Sequence, residues 1–139
     1  MKFKKINNHF YLIRLSRGEK IIASLESFCQ KQKITGGFFF GLGAIDKVEL
    51  AHYDVEKKKY SSLIFNQPLE LTNLSGNIAL FKNQLIIHAH ATLADKKMRA
   101  FAGHLVEGII SGTGEIFLIK TPALKKFFDE GTGLKLFDF

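Results

Sequence analysis

Apolar runs with a two-residue period, separated by short polar turns, fill most of the chain beyond Asp46, and few folds accommodate that pattern. Asp46–Val55 and Lys59–Phe65 flank the lysine-rich turn Glu56–Lys58 and are expected to pair as a hairpin. Pro68 starts an alternating segment, Leu69–Leu74, which Ser75-Gly76-Asn77 interrupts. Ile78–Phe81 then leads through the polar loop Lys82-Asn83-Gln84 into a run of β-branched and apolar residues from Leu85. A third hairpin is expected about Ser111-Gly112-Thr113-Gly114, between Leu105–Ile110 and Glu115–Lys120. Successive hairpins commit the chain to antiparallel sheet.

The N-terminal part reads differently. Phe10–Leu15 is an opening strand ended by Ser16-Arg17-Gly18. From Glu19 to Lys31, Ile21, Ile22, Leu25, Phe28 and Cys29 recur at helical spacing, opposite Glu19, Lys20, Glu26, Gln30 and Lys31. Gly36-Gly37 punctuates the chain before a short buried strand, Phe38–Leu42. The glycines around Leu42 do not make a dinucleotide-binding loop, because Asp46 stands where the third glycine belongs and strand residues follow. Pro122 closes the regular region, and a short helix is expected around Leu124–Phe128, before a tail, Leu134–Phe139, that folds back or meets a neighbouring subunit. The expectation is therefore an α+β single domain spanning residues 1–139, with its core at about 10–120. It would have a mostly antiparallel β-sheet, one long helix near the N-terminus and a short C-terminal helix.

Composition narrows the setting. With 46% hydrophobic residues in 139, the chain can bury a core of its own, rich in its 14 phenylalanines. One cysteine, Cys29, leaves no intrachain disulfide, and with no membrane-length apolar run or signal-peptide core it points to a cytoplasmic protein. The net charge of +7 permits an acidic partner such as nucleic acid, although the lysines lie in small scattered clusters such as Lys57–Lys59 and Lys96–Lys97.

Chemistry concentrates in the last apolar runs. His88 and His90 are two apart in a strand, so both imidazoles project to one face, between Ile86 and Thr92. The chain returns a third, His104, at the start of a further apolar run. Three imidazoles with an open fourth position suit zinc or another transition metal; the alternative is three hydrogen-bonded sheet residues. Glu107 and Glu115 are candidate acid–base groups should the site be a metal-dependent enzyme's, or orienting partners for imidazole N–H groups. No nucleophile elbow is present, and a cupin comparison fails at Lys82, where a glycine would be needed.

Several stretches together resemble the plant-and-prokaryote conserved (PPC) domain, which in plants follows an AT-hook in nuclear proteins. They are Arg14-Leu15 with Gly18-Glu19, Gly41-Leu42-Gly43-Ala44, His52-Tyr53-Asp54, Leu69–Asn77, His88-Ala89-His90, Gly103-His104-Leu105 and Thr113-Gly114-Glu115, covering about Phe10 to Leu118. The resemblance implies one domain with a largely antiparallel sheet, assembled as a homotrimer. It also carries a DNA-binding label. That label is weakened here by the missing AT-hook, since Glu19 follows Arg17-Gly18 where a second arginine would be needed, so weak, non-specific DNA binding is the most to expect. The His88, His90 and His104 pattern resembles the stand-alone prokaryotic branch, which implies a metal or small-ligand site.

Overall fold

The computed structural model describes residues 1–139. Its elements in chain order are β1 (Lys2–Lys5), β2 (Phe10–Ser16), α1 (Ile21–Lys31), β3 (Gly37–Asp54), β4 (Lys59–Phe81), β5 (Gln84–Ala94), β6 (Ala100–Lys120), β7 (Lys125–Asp129) and β8 (Leu134–Phe137). Strands hold 68% of the residues and helix 8%, so the chain is a mostly β protein and not the α+β arrangement that its patterning predicts. Strand pairing runs from β3 to β4, β4 to β5, β5 to β6 and β6 back to β3, all antiparallel, so the central sheet closes on itself. β1 and β2 extend it from β6, and β7 joins β4 as the one parallel pair, with β8 outside it.

Two helical expectations need correction. The N-terminal helix is not long: it spans 11 residues, Ile21–Lys31. Glu19 and Lys20 are held out of it by the sheet, because Ile110 N–H donates to the Glu19 carbonyl at 3.0 Å and Lys20 forms a bridge with Ile109. The C-terminal helix at Leu124–Phe128 is absent, and Lys125–Asp129 is strand β7. Leu80 N–H donates to the Leu124 carbonyl at 2.8 Å, and Leu80 and Phe81 pair with Lys125 and Lys126. An isolated helix of so few residues is marginal in water, whereas the free edge of β4 supplies hydrogen bonds at once.

The expected short strands are likewise fused into longer ones. β4 runs through Ser75-Gly76-Asn77 and β6 through Ser111–Gly114, so the third hairpin does not form there. Both glycine stretches mark close backbone or side-chain approach. A Cβ on Gly76 would stand 2.4 Å from the Phe39 ring and 2.4 Å from the His88 carbonyl oxygen. Register shifts between Gly41 and Gly43, Ile45 and Lys47, and Leu71 and Asn73 bend the long strands, as β-bulges do. The hairpin about Glu56–Lys58 forms where the sequence predicts it. At Lys82-Asn83 both residues take positive φ, 49° and 62°, the geometry of a tight two-residue turn.

The interior follows from strand alternation. Ile21, Leu25, Phe28 and Cys29 of α1 pack with Tyr11, Ile13 and Leu15 of β2, Leu74 and Ile78 of β4, and Ala89, Ala91 and Leu93 of β5. Each fully buried large apolar side chain contributes about 1.5–3 kcal/mol. Because the odd-numbered residues of β5 face this core, the even-numbered His88 and His90 must face away from it. The core thus aims the histidines.

Candidate metal centre

His90 lies directly across from His104 in the β5–β6 pairing, and His104 is also paired with Ala51 of β3. β6 passes between two partners at this point, which returns the third imidazole to the other two. The connection that makes the return is tied by Asp95, whose carboxylate accepts from Lys97 N–H at 2.8 Å, Arg99 N–H at 3.0 Å and Arg99 Nε at 2.8 Å. Burial opposes charge on Asp95, but hydrogen bonds from the Arg99 side chain and backbone and from Lys97, with the guanidinium's charge, hold its carboxyl below the ordinary value.

The ring centroids of His88, His90 and His104 form a near-equilateral triangle with sides of 5.1, 5.2 and 5.5 Å. One ring nitrogen from each lies within 4.8 Å of those of the other two. Burial pushes His88 down to about 4, assisted by the positive charge of Lys126 and by the neighbouring His104 and His90. His104 is also lowered, by burial first and then by His90. Imidazoles held neutral keep the lone pair that a metal ligand needs. His104 Nδ1 is buried with no hydrogen-bond partner in the chain, and so is Oδ1 of Asn77, the residue across β4 from His88. A buried polar atom left without a partner is costly, so these residues fit a bound cation and its outer hydrogen bonds. Three converging imidazoles suit zinc, copper, nickel or iron.

The two glutamates lie elsewhere. Glu107 accepts from Ile22 N–H at 2.9 Å and Ala23 N–H at 3.2 Å, so its carboxylate caps the start of α1 in place of Lys20, which makes no side-chain cap. Glu115 pairs with Arg14 and Leu42 and lines a groove of about 750 Å³ that includes none of the three histidines.

What the histidines do share is a second cleft, of about 620 Å³. The Tyr60 ring lies 5.3 Å from that of His104 and forms part of its wall. The β7–β8 hairpin forms another, bringing in Lys126, Phe128, Leu134, Lys135 and Leu136. It is pinned by Tyr53 Oη donating to the Thr132 carbonyl at 2.8 Å and Lys58 Nζ donating to the Glu130 carbonyl at 2.5 Å. Lys126 is buried and its ammonium is destabilised by burial and by Lys135. Sequence patterning misses Lys126 altogether, since it places the residue on a helix; the alternation of Lys126 with Phe127 offers no strand signal by itself.

Comparison with known proteins agrees with this architecture. A metal-containing protein, AF0104, from Archaeoglobus fulgidus superposes with a TM-score of 0.88 at 28% identity, over 100% of this chain and 99% of that one. A candidate DNA-binding protein from Bacteroides thetaiotaomicron superposes with a TM-score of 0.95 at 29% identity, over 99% of this chain and 96% of that one. The bifunctional protein GlmU of Synechococcus sp. is 29% identical over 110 residues, 78% of this chain, but the chain spans only 16% of that curated relative. The sequence model of the Plants and Prokaryotes Conserved (PCC) domain matches residues 4–122, and this chain belongs to that family.

Proposed function

We propose that this PCC-domain protein binds a transition metal ion, zinc foremost, through His88, His90 and His104, and works in the cytoplasm as a homotrimer. The observation that carries the reading is the convergence of three ring nitrogens within 4.8 Å on one face of the sheet. The neutral state of His88 and the unpartnered His104 Nδ1 support it, as does the likeness to a metal-containing relative. A bound ion would supply a Lewis-acidic position open to water or an oxygen ligand. The protein's own part is to hold three imidazoles in register from β5 and β6 and to roof them with the β7–β8 hairpin. With Glu107 engaged by α1, a second reading as a metal-dependent enzyme has no placed general base.

The test is the metal content of tag-free protein, with thermal denaturation before and after zinc addition. Stoichiometric metal, or a rise in melting temperature with zinc that His104→Ala abolishes, is the expected result. A metal-free preparation indifferent to zinc overturns it.

A DNA-binding reading is favoured by the net charge of +7 and by the description of the Bacteroides relative. Such binding would be electrostatic, with affinity falling steeply as salt rises, because neutralised phosphates release counterions. Affinity unchanged between low and moderate salt would remove it.

A further inference from the structure

The cleft over the three histidines has a chemical bias that a bare metal site does not require. Its lining contains Lys126 and Lys135 but no aspartate, glutamate or arginine. Lys126 is only 9% exposed. It makes no ion pair, and its Nζ lies over the Phe137 ring, 4.9 Å from the centroid. A buried ammonium without a counter-ion is unfavourable unless something else supplies the charge. Much of the remaining lining is apolar: Val55, Phe128, Leu134 and Leu136 line the same cleft, and the Tyr60 ring lies tilted beside that of His104. The volume of about 620 Å³ lies in the range of small-molecule sites.

We propose that this cleft binds a small organic carboxylate, with its head group between Lys126 Nζ and the metal on the three histidines, and its apolar body against Val55, Leu134 and Leu136. The inference rests on the metal reading above. An uncompensated cation beside a Lewis-acidic position calls for an anion, and apolar walls call for an organic body. Dedicated phosphate sites commonly add an arginine fork or a helix N-terminus to their lysines. The lining has neither, because α1 contributes no residue to it.

Benzoate serves as the probe, with benzyl alcohol as its uncharged counterpart and inorganic phosphate as the competing anion. Calorimetric titration of the zinc-loaded full chain should show benzoate binding, benzyl alcohol failing to bind, and phosphate binding more weakly than benzoate. Lys126→Met should weaken benzoate by about 10- to 100-fold, the worth of one charged hydrogen bond, in a chain that still takes up zinc on its three histidines. Lys126→Arg should retain benzoate. As a measurement that needs no variant, benzoate should alter the visible absorption of the cobalt(II)-loaded protein, because an oxygen ligand enters the metal's open position. Zinc uptake without benzoate binding, or with an unchanged cobalt spectrum, overturns the carboxylate proposal and leaves the metal reading standing. Tighter binding of phosphate than benzoate also overturns it. A chain that takes up neither zinc nor cobalt overturns both.

Discussion

At the scale of single residues, the side chain of most consequence is His88. Burial, the Lys126 charge and two further imidazoles lower its folded value from 6.5 to about 4. The unfolded chain therefore binds the proton more readily than the folded one. Between those two values the unfolded state holds more protons, so stability is complete above about pH 6.5 and is lost as pH falls toward 4. His104 shifts in the same direction and adds to the slope. The metal-free protein should accordingly melt at a lower temperature at pH 5 than at pH 7.5, and His88→Asn should flatten that dependence, as thermal denaturation across the range would read. A melting temperature that is level from pH 7.5 to 5 in the parent would contradict the neutral, half-buried imidazole on which the metal reading depends. Metal should steepen the same trend, since protons and the ion compete for the three nitrogens.

At the scale of elements, Glu107 links a strand to a helix that has no cap of its own. Its carboxylate satisfies two of the free N–H groups at the start of α1 and places negative charge at the positive end of the helix dipole. Glu107→Ala should destabilise the fold by about 1 kcal/mol and leave zinc affinity as it was, a separation that chemical denaturation and metal titration would establish together. The same residue shows where sequence reasoning stops. That His88 and His90 share a face follows from the two-residue period alone, and the turn at Glu56–Lys58 from composition, so both are legible locally. The pairing of Glu107 with α1 joins positions 85 residues apart, and no local pattern encodes it. Lys126 is hidden for a related reason: β7 becomes a strand because the end of β4 offers it an edge. Glycine-bearing stretches mislead in the opposite sense. Ser75-Gly76-Asn77 has the composition of a turn, yet Gly76 is there so that the Phe39 ring can lie across a continuous strand.

At the scale of the whole molecule, the outer surface of the sheet carries apolar side chains that nothing in a single chain covers. Along β3, alternate residues point outward, and Phe38, Phe40 and Leu42 are 47%, 52% and 56% exposed. Phe40 packs against Phe117 with ring centroids 5.2 Å apart, and Leu12, itself exposed, lies across from Phe117 on β2. Contiguous apolar surface of this kind, bordered by Lys2, Lys4, Arg14 and Glu115, has the make-up of an interface with an apolar centre and a charged rim. No helix is long and apolar enough to cross a membrane, so the patch is not the flank of a helical span. The proposed homotrimer would bury it. Each large side chain so covered contributes about 1.5–3 kcal/mol, and a charge placed at its centre would have to be desolvated for no return. Phe40→Glu should therefore leave a folded chain, because Phe40 lies outside the buried core. Light scattering should then find a species of 15.7 kDa in the variant and three times that mass in the parent. A parent already monomeric at micromolar concentration would refute the assembly, and a trimer unaffected by Phe40→Glu would assign the interface to another face of the sheet.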